Sequence, residues 1–203
     1  MSTTPLTAQL AALPGVQVRE TEHASVGYDL SGTLPESTLL AAVTLMDEAG
    51  YFLEGMTGVD WLGECAALRK EAEAKAKKAA EAAAASAAAS GTADAPTAAD
   101  AADTVNAAAS ESPTPASIPQ EDELEVVYDF NRFSARHRVC LRVRTPRSNP
   151  QIHTIAEIYP IAHWHEREIH EFFGIVFIGH PYLIPLLLPE DAEYHPLLKD
   201  YSA

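Results

Sequence analysis

Residues 163–174, HWHEREIHEFFG, contain three histidines and three glutamates within ten positions. Imidazole and carboxylate groups bind zinc and act as general acids and bases, so the spacing has to be compared with known metal sites. Zinc proteases use two histidines four residues apart, which share one helix face. His165 and His170 are five apart, and on a regular helix they point about 140° away from each other. The zinc-protease pattern is therefore excluded.

A weaker metal arrangement is left open by the same segment. Glu166 and His170 are four residues apart and could supply two zinc ligands, with His153, His180 or His195 as a third. A small zinc hydrolase is therefore kept as a remote alternative. His180, locked ahead of Pro181 in a tight turn, could act as a catalytic histidine, but the sequence positions no Ser, Cys or acidic partner for it. We expect no catalytic residue, no metal ligand and no cofactor-binding residue in this chain.

A helix over about residues 162–173 positions these side chains, and Gly174 ends it. Helical periodicity divides the segment into an apolar and a polar arc. The apolar arc comprises Ile161, Ala162, His165, Ile169, Phe172 and Phe173. The polar arc comprises His163, Glu166, Arg167, His170 and Glu171, with Glu168 at the border. We expect His165 to pack in or near the core. A charged, mixed arc of this kind is usually solvated, but Arg167 could also pair with its glutamate neighbours or with carboxylates of a partner, and the apolar tail favours more than a solvated face.

The other elements predict an α+β fold, a largely antiparallel sheet with helices on one face. Strand patterns occur at residues 16–20, 24–30, 51–62, 124–133 and 137–145. A helix follows Pro35 and ends at Gly50, and a short helix is predicted between Asn149-Pro150 and Tyr159-Pro160. Within the strand at 51–62, Gly55 and Gly58 suggest turns.

The last strand has two different faces. Val139, Leu141 and Val143 face one way, and Arg138, Cys140, Arg142 and Arg144 face the other. The arginines form either a phosphate or partner surface, or the solvated face of a half-covered sheet, and the second interpretation is favoured.

Composition divides the chain into four parts. Residues 1–65 and 119–174 form the α+β domain, and residues 66–118 are an alanine-rich insert without aromatic residues. The insert is predicted to be a helix that frays after about Ser90, followed by a disordered linker. Residues 175–203 form an extended, proline-rich tail. A stand-alone adaptor with a flexible alanine-rich arm is a further hypothesis.

The tail needs a surface to lie on. Pro181, Pro185, Pro189 and Pro196 exclude a long helix and a central strand, yet the segment is rich in apolar residues. Its own domain could cover part of it, and a partner subunit is the more natural source of the rest.

Charge and cysteine content restrict the partners. The net charge of −15 disfavours nucleic acid and anionic lipid. The two cysteines, Cys65 and Cys140, form no CxxC pair and are expected to be buried thiols. No apolar run is long enough to span a membrane, and the start of the chain lacks a signal-peptide pattern. We therefore expect a cytoplasmic protein.

Five motifs follow one another in the C-terminal part of the chain. They are HRVCLRVR at 137–144, YPIAHWHEREIHEFFGI at 159–175, FIGHP at 177–181, PED at 189–191 and HPLLKDY at 195–201. Their order resembles the 30-kDa subunit family of respiratory complex I (NADH-quinone oxidoreductase) and its hydrogenase relatives.

The resemblance implies a non-catalytic structural subunit of the soluble arm, lying peripherally on the inner face of the cell membrane. Its implied partners are a large catalytic subunit, 49-kDa-like or of the hydrogenase type, and a small iron–sulfur subunit. Iron–sulfur clusters, and nickel–iron in a hydrogenase, would be bound by those partners. The implied interface residues are Glu166, Arg167, Glu168, Phe173, Gly174, Gly179, His180, Pro181, His195, Pro196, Lys199 and Asp200.

Two departures from the family pattern bear on the branch. Quinone-reducing members tend to have paired arginines after the Gly-His-Pro turn, where this chain has Tyr182-Leu183-Ile184-Pro185. They also tend to have an arginine before the Lys-Asp pair, where this chain has Leu198. These differences favour a membrane-bound energy-converting [NiFe] hydrogenase over an NADH:quinone oxidoreductase.

Overall fold

The structure is a computed structural model that describes residues 5–89 and 121–202. The chain divides into two compact units, Met1–Leu62 with Glu121–Ala203, and Gly63–Gln120. In the second unit, helix α4 (Glu64–Ala89) has 26 residues, a length of about 39 Å. The predicted linker that follows Ser90 falls within residues 90–120, which lie outside the described residues.

The first unit is built on a five-stranded sheet in the order β1-β2-β5-β4-β3. Its strands are β1 (Gln17–Glu20), β2 (Leu30–Leu34), β3 (Phe52–Asp60), β4 (Glu123–Arg132) and β5 (His137–Pro146). All neighbours are antiparallel except β2 and β5, which are parallel. Two further strands, β6 (Gln151–His153) and β7 (Val176–Ile178), pair in parallel. The predicted α+β fold with a largely antiparallel sheet is confirmed.

Helices α1 (Leu6–Ala11), α3 (Leu39–Glu48) and α5 (Ala162–Phe173) add apolar residues to one buried cluster with the sheet. Helix α2 (His23–Val26) buries no residue, and a 3-10 turn (Glu36–Thr38) precedes α3. Helix α3 buries Leu39, Val43 and Met46, whereas Leu40 is 42% exposed. Gly50 has a φ of +76°, which explains why a glycine ends this helix.

Two local predictions are wrong. Residues 24–30 are not one strand, because α2 ends at Gly27 and β2 begins only at Leu30. The predicted helix after Pro150 is strand β6, whose first residue exchanges two hydrogen bonds with the Thr145 hydroxyl. Both strands pair in parallel with segments distant in the chain, and no local pattern reports such pairing.

The arginines of β5 face polar groups rather than a vacant surface. Arg138 forms an ion pair with Glu54 at 3.0 Å, and Arg144 forms one with Glu125 at 3.3 Å. Arg142 lies 3.4 Å from the hydroxyl of Ser31. This pattern agrees with the polar face of a half-covered sheet, the interpretation that the sequence favoured. Cys65 and Cys140 are both buried, and neither is in a disulfide.

Strand β3 is continuous, so the turns predicted at Gly55 and Gly58 are wrong. The ladder with β4 shifts register between Leu53 and Gly55 and then continues to Asp60. At Gly58 the ring of Phe173 from α5 lies so close that an added Cβ would be 2.4 Å from it. The glycine is therefore required for the approach of α5, not for a turn.

We expect Gly58→Ala to lower the free energy of unfolding by about 2 kcal/mol, because the methyl group forces Phe173 out of its position. Gly55→Ala is the matched control, since an added Cβ there meets nothing within 4 Å. Denaturant unfolding followed by circular dichroism measures both variants. Equal midpoints for the two would contradict the tight contact.

Candidate partner interface

Three charged residues of the polar arc of α5 are buried by the chain itself, so this part of the arc is not a solvated face. Glu166 is 0% exposed, Arg167 7% and Glu171 3%. Residues 179–202, here called the covering segment, form turns and bends. Their backbone is hydrogen-bonded to Arg167 and Glu171. The extended form predicted for the tail is therefore not confirmed. Charged side chains on a helix face can be buried when backbone groups of the same chain supply their hydrogen bonds.

The apolar arc is only partly in the core. Ala162 and Ile169 are buried, but Ile161 is half exposed and His165 is only half-buried. The position predicted for His165 is in or near the core, and its half burial excludes only a fully buried position. Gly174 ends α5 with a φ of +76°, as predicted.

Glu166 binds the loop that follows β6. Its carboxylate accepts hydrogen bonds from the backbone N–H of Ile155 at 2.8 Å and from the hydroxyl of Thr154. Burial raises the pKa of Glu166 to about 7, although both hydrogen bonds lower it. Burial lowers the pKa of His180, whose Nε2 lies 3.9 Å from the carboxylate. The result is a buried acid close to a histidine that favours its neutral form.

Arg167 and Glu171 bind the backbone of the covering segment. Arg167 donates to the carbonyl oxygens of Ile184 and Pro185. Glu171 accepts hydrogen bonds from three consecutive leucine N–H groups at residues 186–188. Burial alone would raise the pKa of Glu171, but these N–H groups and Arg167 outweigh it and lower the pKa.

The end of the chain is fastened to α5 and β3. His195 Nδ1 lies 2.9 Å from the carbonyl oxygen of Glu171. Asp60 accepts a hydrogen bond from the N–H of Lys199 at 2.9 Å and pairs with Arg147, which also pairs with Asp200. Own-chain contacts therefore reach from residue 184 to residue 200.

The zinc pair proposed from spacing finds no support in this geometry. Glu166 bonds to the loop after β6, whereas His170 Nδ1 lies 2.9 Å from the carbonyl oxygen of Ile175. Within residues 5–89 and 121–202, no three His, Cys, Asp or Glu side chains are grouped in a metal-binding arrangement.

Large apolar and aromatic side chains are exposed on α5 and on the covering segment, next to exposed charged residues such as Glu190, Asp191 and Glu193. The exposed apolar and aromatic residues are Ile161, Trp164, Tyr182, Leu187, Tyr194, Leu197 and Tyr201, which we call the outer apolar set. Beside them lies a hollow of about 390 Å³ whose lining includes Pro160, Trp164 and Pro181. Trp, Tyr and Arg are the residues enriched at the energetic centres of protein interfaces. The surface therefore has the composition of a docking site.

The interface residues predicted from the motifs have two kinds of position. Gly179, Pro181, Lys199 and Asp200 are exposed, and Glu166 and Arg167 are buried by their own chain. The half-buried members are Glu168, Phe173, Gly174, His180, His195 and Pro196. The predicted interface residues include no member of the outer apolar set, although Ile161, Trp164, Leu197 and Tyr201 lie within the quoted motifs. For the other three members, the signal that could have found them is the apolar content of the proline-rich tail.

Comparison with known proteins gives the family. Residues 33–203 match the family model described as "Respiratory-chain NADH dehydrogenase, 30 Kd subunit". The chain belongs to this family. This agrees with the resemblance drawn from the motifs.

Curated relatives in this family are named as a subunit of NADH-quinone oxidoreductase. The protein from Roseiflexus castenholzii is 49% identical over 83 residues, which are 41% of this chain and 48% of the relative. The protein from Mycolicibacterium paratuberculosis is 46% identical over 79 residues, 39% of this chain and 34% of the relative. The matched part spans about half or less of the length of these relatives.

A solved structure supports the fold. The chain matches one from "the membrane-bound sulfane sulfur reductase (MBS), an archaeal respiratory membrane complex", with a TM-score of 0.58 and 18% identity. The match covers 96% of this chain and 82% of that one. In the described part of the chain, no helix is both long and apolar enough to cross a membrane.

Proposed function

We propose that this chain is a non-catalytic structural subunit of a complex I-type membrane oxidoreductase, in which it holds the large catalytic subunit. The observation that carries the proposal is the outer apolar set, which is exposed at the start of α5 and on the covering segment that the chain itself fastens to α5. A monomer in water would leave this set uncovered, whereas a partner subunit would bury it.

The cofactors and location follow from this role. Iron–sulfur clusters belong to the partner subunits, namely the large subunit and a small iron–sulfur subunit. The chain itself lies on the inner face of the cell membrane and is attached through those partners.

For the branch, the names of the curated relatives favour NADH:quinone oxidoreductase. The preference for an energy-converting hydrogenase, drawn from residues 182–185 and Leu198, stays a prediction. Purification of the native assembly, followed by mass spectrometry of its subunits, distinguishes the two. Flavin-containing NADH-oxidising subunits indicate the first branch, and a nickel–iron large subunit indicates the second. Recovery of a lone monomer would contradict both.

Replacement of an exposed leucine tests the proposed docking surface. Leu187 is 66% exposed, so we expect Leu187→Gln to leave the free energy of unfolding nearly unchanged. We expect the same variant to weaken binding to the isolated large subunit about tenfold or more, because its apolar contact is lost. Titration calorimetry measures the affinity.

Leu40→Gln is the matched control, because Leu40 is 42% exposed on α3 and outside the outer apolar set. Its affinity should equal that of the unmodified chain. Equal weakening by both substitutions would place the interface elsewhere. The remote zinc hydrolase is tested separately by elemental analysis, where about one zinc per chain would support it.

A further inference from the structure

The backbone of residues 184–188 has donors that no strand can satisfy. Pro185 and Pro189 bracket three leucines, and the prolines cannot extend a ladder because they lack an N–H group. In the described residues, this segment belongs to no helix or strand. Polar backbone groups that lie against protein without a partner cost free energy, so these three N–H groups need an acceptor.

Glu171 supplies that acceptor for all three donors. Its Oε2 lies 2.7 Å from the N–H nitrogen of Leu186, 3.0 Å from that of Leu187 and 3.1 Å from that of Leu188. The residue is only 3% exposed. Hydrogen bonds to an ionised carboxylate are about twice as strong as neutral ones, so this contact fixes the three leucines on α5.

Arg167, one helical turn earlier, holds the preceding carbonyl groups. Its Nε donates to the oxygen of Ile184 at 2.9 Å, and its Nη2 donates to that of Pro185 at 2.8 Å. The guanidinium also lies over the rings of Trp164 and Tyr182, at 5.4 and 5.3 Å. Two neighbouring charged side chains of α5 therefore bind carbonyl groups and N–H groups of one five-residue segment.

We propose that Arg167 and Glu171 are positioning residues that hold residues 184–202 in the partner-binding conformation before any partner is bound. The term partner-binding rests on the proposed function, but the order of the free chain does not. The contacts of His195, Lys199 and Asp200 described above continue the attachment. Because the segment is already ordered, docking loses less conformational entropy than the folding of a free tail onto its partner.

Hydrogen exchange of the full chain without any partner tests this proposal. We expect the amides of residues 186–188 to exchange about 100-fold more slowly than in an unstructured peptide, because all three are hydrogen-bonded. Glu171→Ala should reduce this protection about tenfold or more at these amides. Glu171→Gln should keep part of it, since the amide oxygen remains an acceptor. Amides of β4 and β5 should be unchanged in both variants.

Glu48→Gln is the control, because Glu48 is an exposed helix carboxylate on α3. In Glu48→Gln, the amides of residues 186–188 should exchange at the same rate as in the unmodified chain. Fast exchange of residues 186–188 in the unmodified chain would overturn the proposal, and so would full protection in Glu171→Ala. If Glu171→Ala unfolds the sheet, the unmodified chain and Glu171→Gln decide the question.

The experiment separates this proposal from the proposed function because no partner is present. Protection of residues 186–188 with no complex recovered from cells would leave the positioning role intact and remove the docking role. If a complex is recovered but residues 186–188 exchange fast in the free chain, the docking role stands and the positioning role is removed. In that case the segment would order only on assembly.

Discussion

Replacement of Asp60 by alanine should lower the free energy of unfolding by about 3 kcal/mol, because it removes a buried acceptor shared by two backbone N–H groups and the guanidinium of Arg147. Asp60 is 4% exposed and accepts hydrogen bonds from the N–H groups of Leu62 and Lys199. Its two oxygens also accept bonds from Arg147 at 3.2 and 3.3 Å. One carboxylate at the end of β3 therefore joins the loop after β5 to the end of the chain.

Thermal and urea unfolding measure this effect, and the expected fall in Tm is about 10 °C. Asp60→Asn keeps one acceptor oxygen and should cost about half as much. Asp191→Ala is the control, because Asp191 is exposed in the covering segment; its effect should stay within about 0.5 kcal/mol. Equal unfolding midpoints for Asp60→Ala and Asp191→Ala would show that the hydrogen bonds of Asp60 do not stabilise the fold.

The second large effect is a pH dependence at Glu166. Burial raises its pKa to about 7 in the folded chain from an ordinary 4.5. The folded state therefore keeps a proton that the unfolded state releases at lower pH. The stabilisation is fully present below the unfolded pKa and is lost as pH rises through the folded pKa. As pH rises from below 4.5 to above 7, this contribution to the free energy of unfolding falls by about 3 kcal/mol.

Glu166→Gln separates this contribution from other titrating groups, because glutamine does not ionise. Between pH 5 and pH 8 we expect the unmodified chain to lose roughly 2 kcal/mol relative to Glu166→Gln. Urea unfolding across this range measures the difference. Glu157→Gln, at an exposed position on the nearby loop, should parallel the unmodified chain. If the free energy of unfolding changes with pH in the same way in Glu166→Gln as in the unmodified chain, the raised pKa is refuted.

The burial of Glu166 also shows why a solvated face, the usual interpretation of such a polar arc, does not hold for α5. Its charged residues repeat at helical spacing, as they do on a solvated helix face. Their partners are backbone groups in the loop after β6 and in residues 184–188. No side-chain pattern reports backbone donors and acceptors, so the arc can be assigned to the interior only from the folded structure.

Elements with local signals could be predicted from the residues alone. The alternation in β4 and β5, the spacing in α3 and the glycines at positions 50 and 174 were sufficient for those elements. The order of the C-terminal motifs was sufficient for the family. These features depend on neighbouring residues, which a linear pattern contains.

Features that depend on distant contacts required the folded chain. The parallel pairing of β2 with β5 and of β6 with β7, and the close approach of Phe173 to Gly58, bring together residues far apart in the chain. The same holds for the attachment of residues 184–200 to α5 and β3. Proline and leucine content predicted that this segment needs a surface, but the hydrogen bonds of Arg167, Glu171 and Asp60 make its own domain much of that surface.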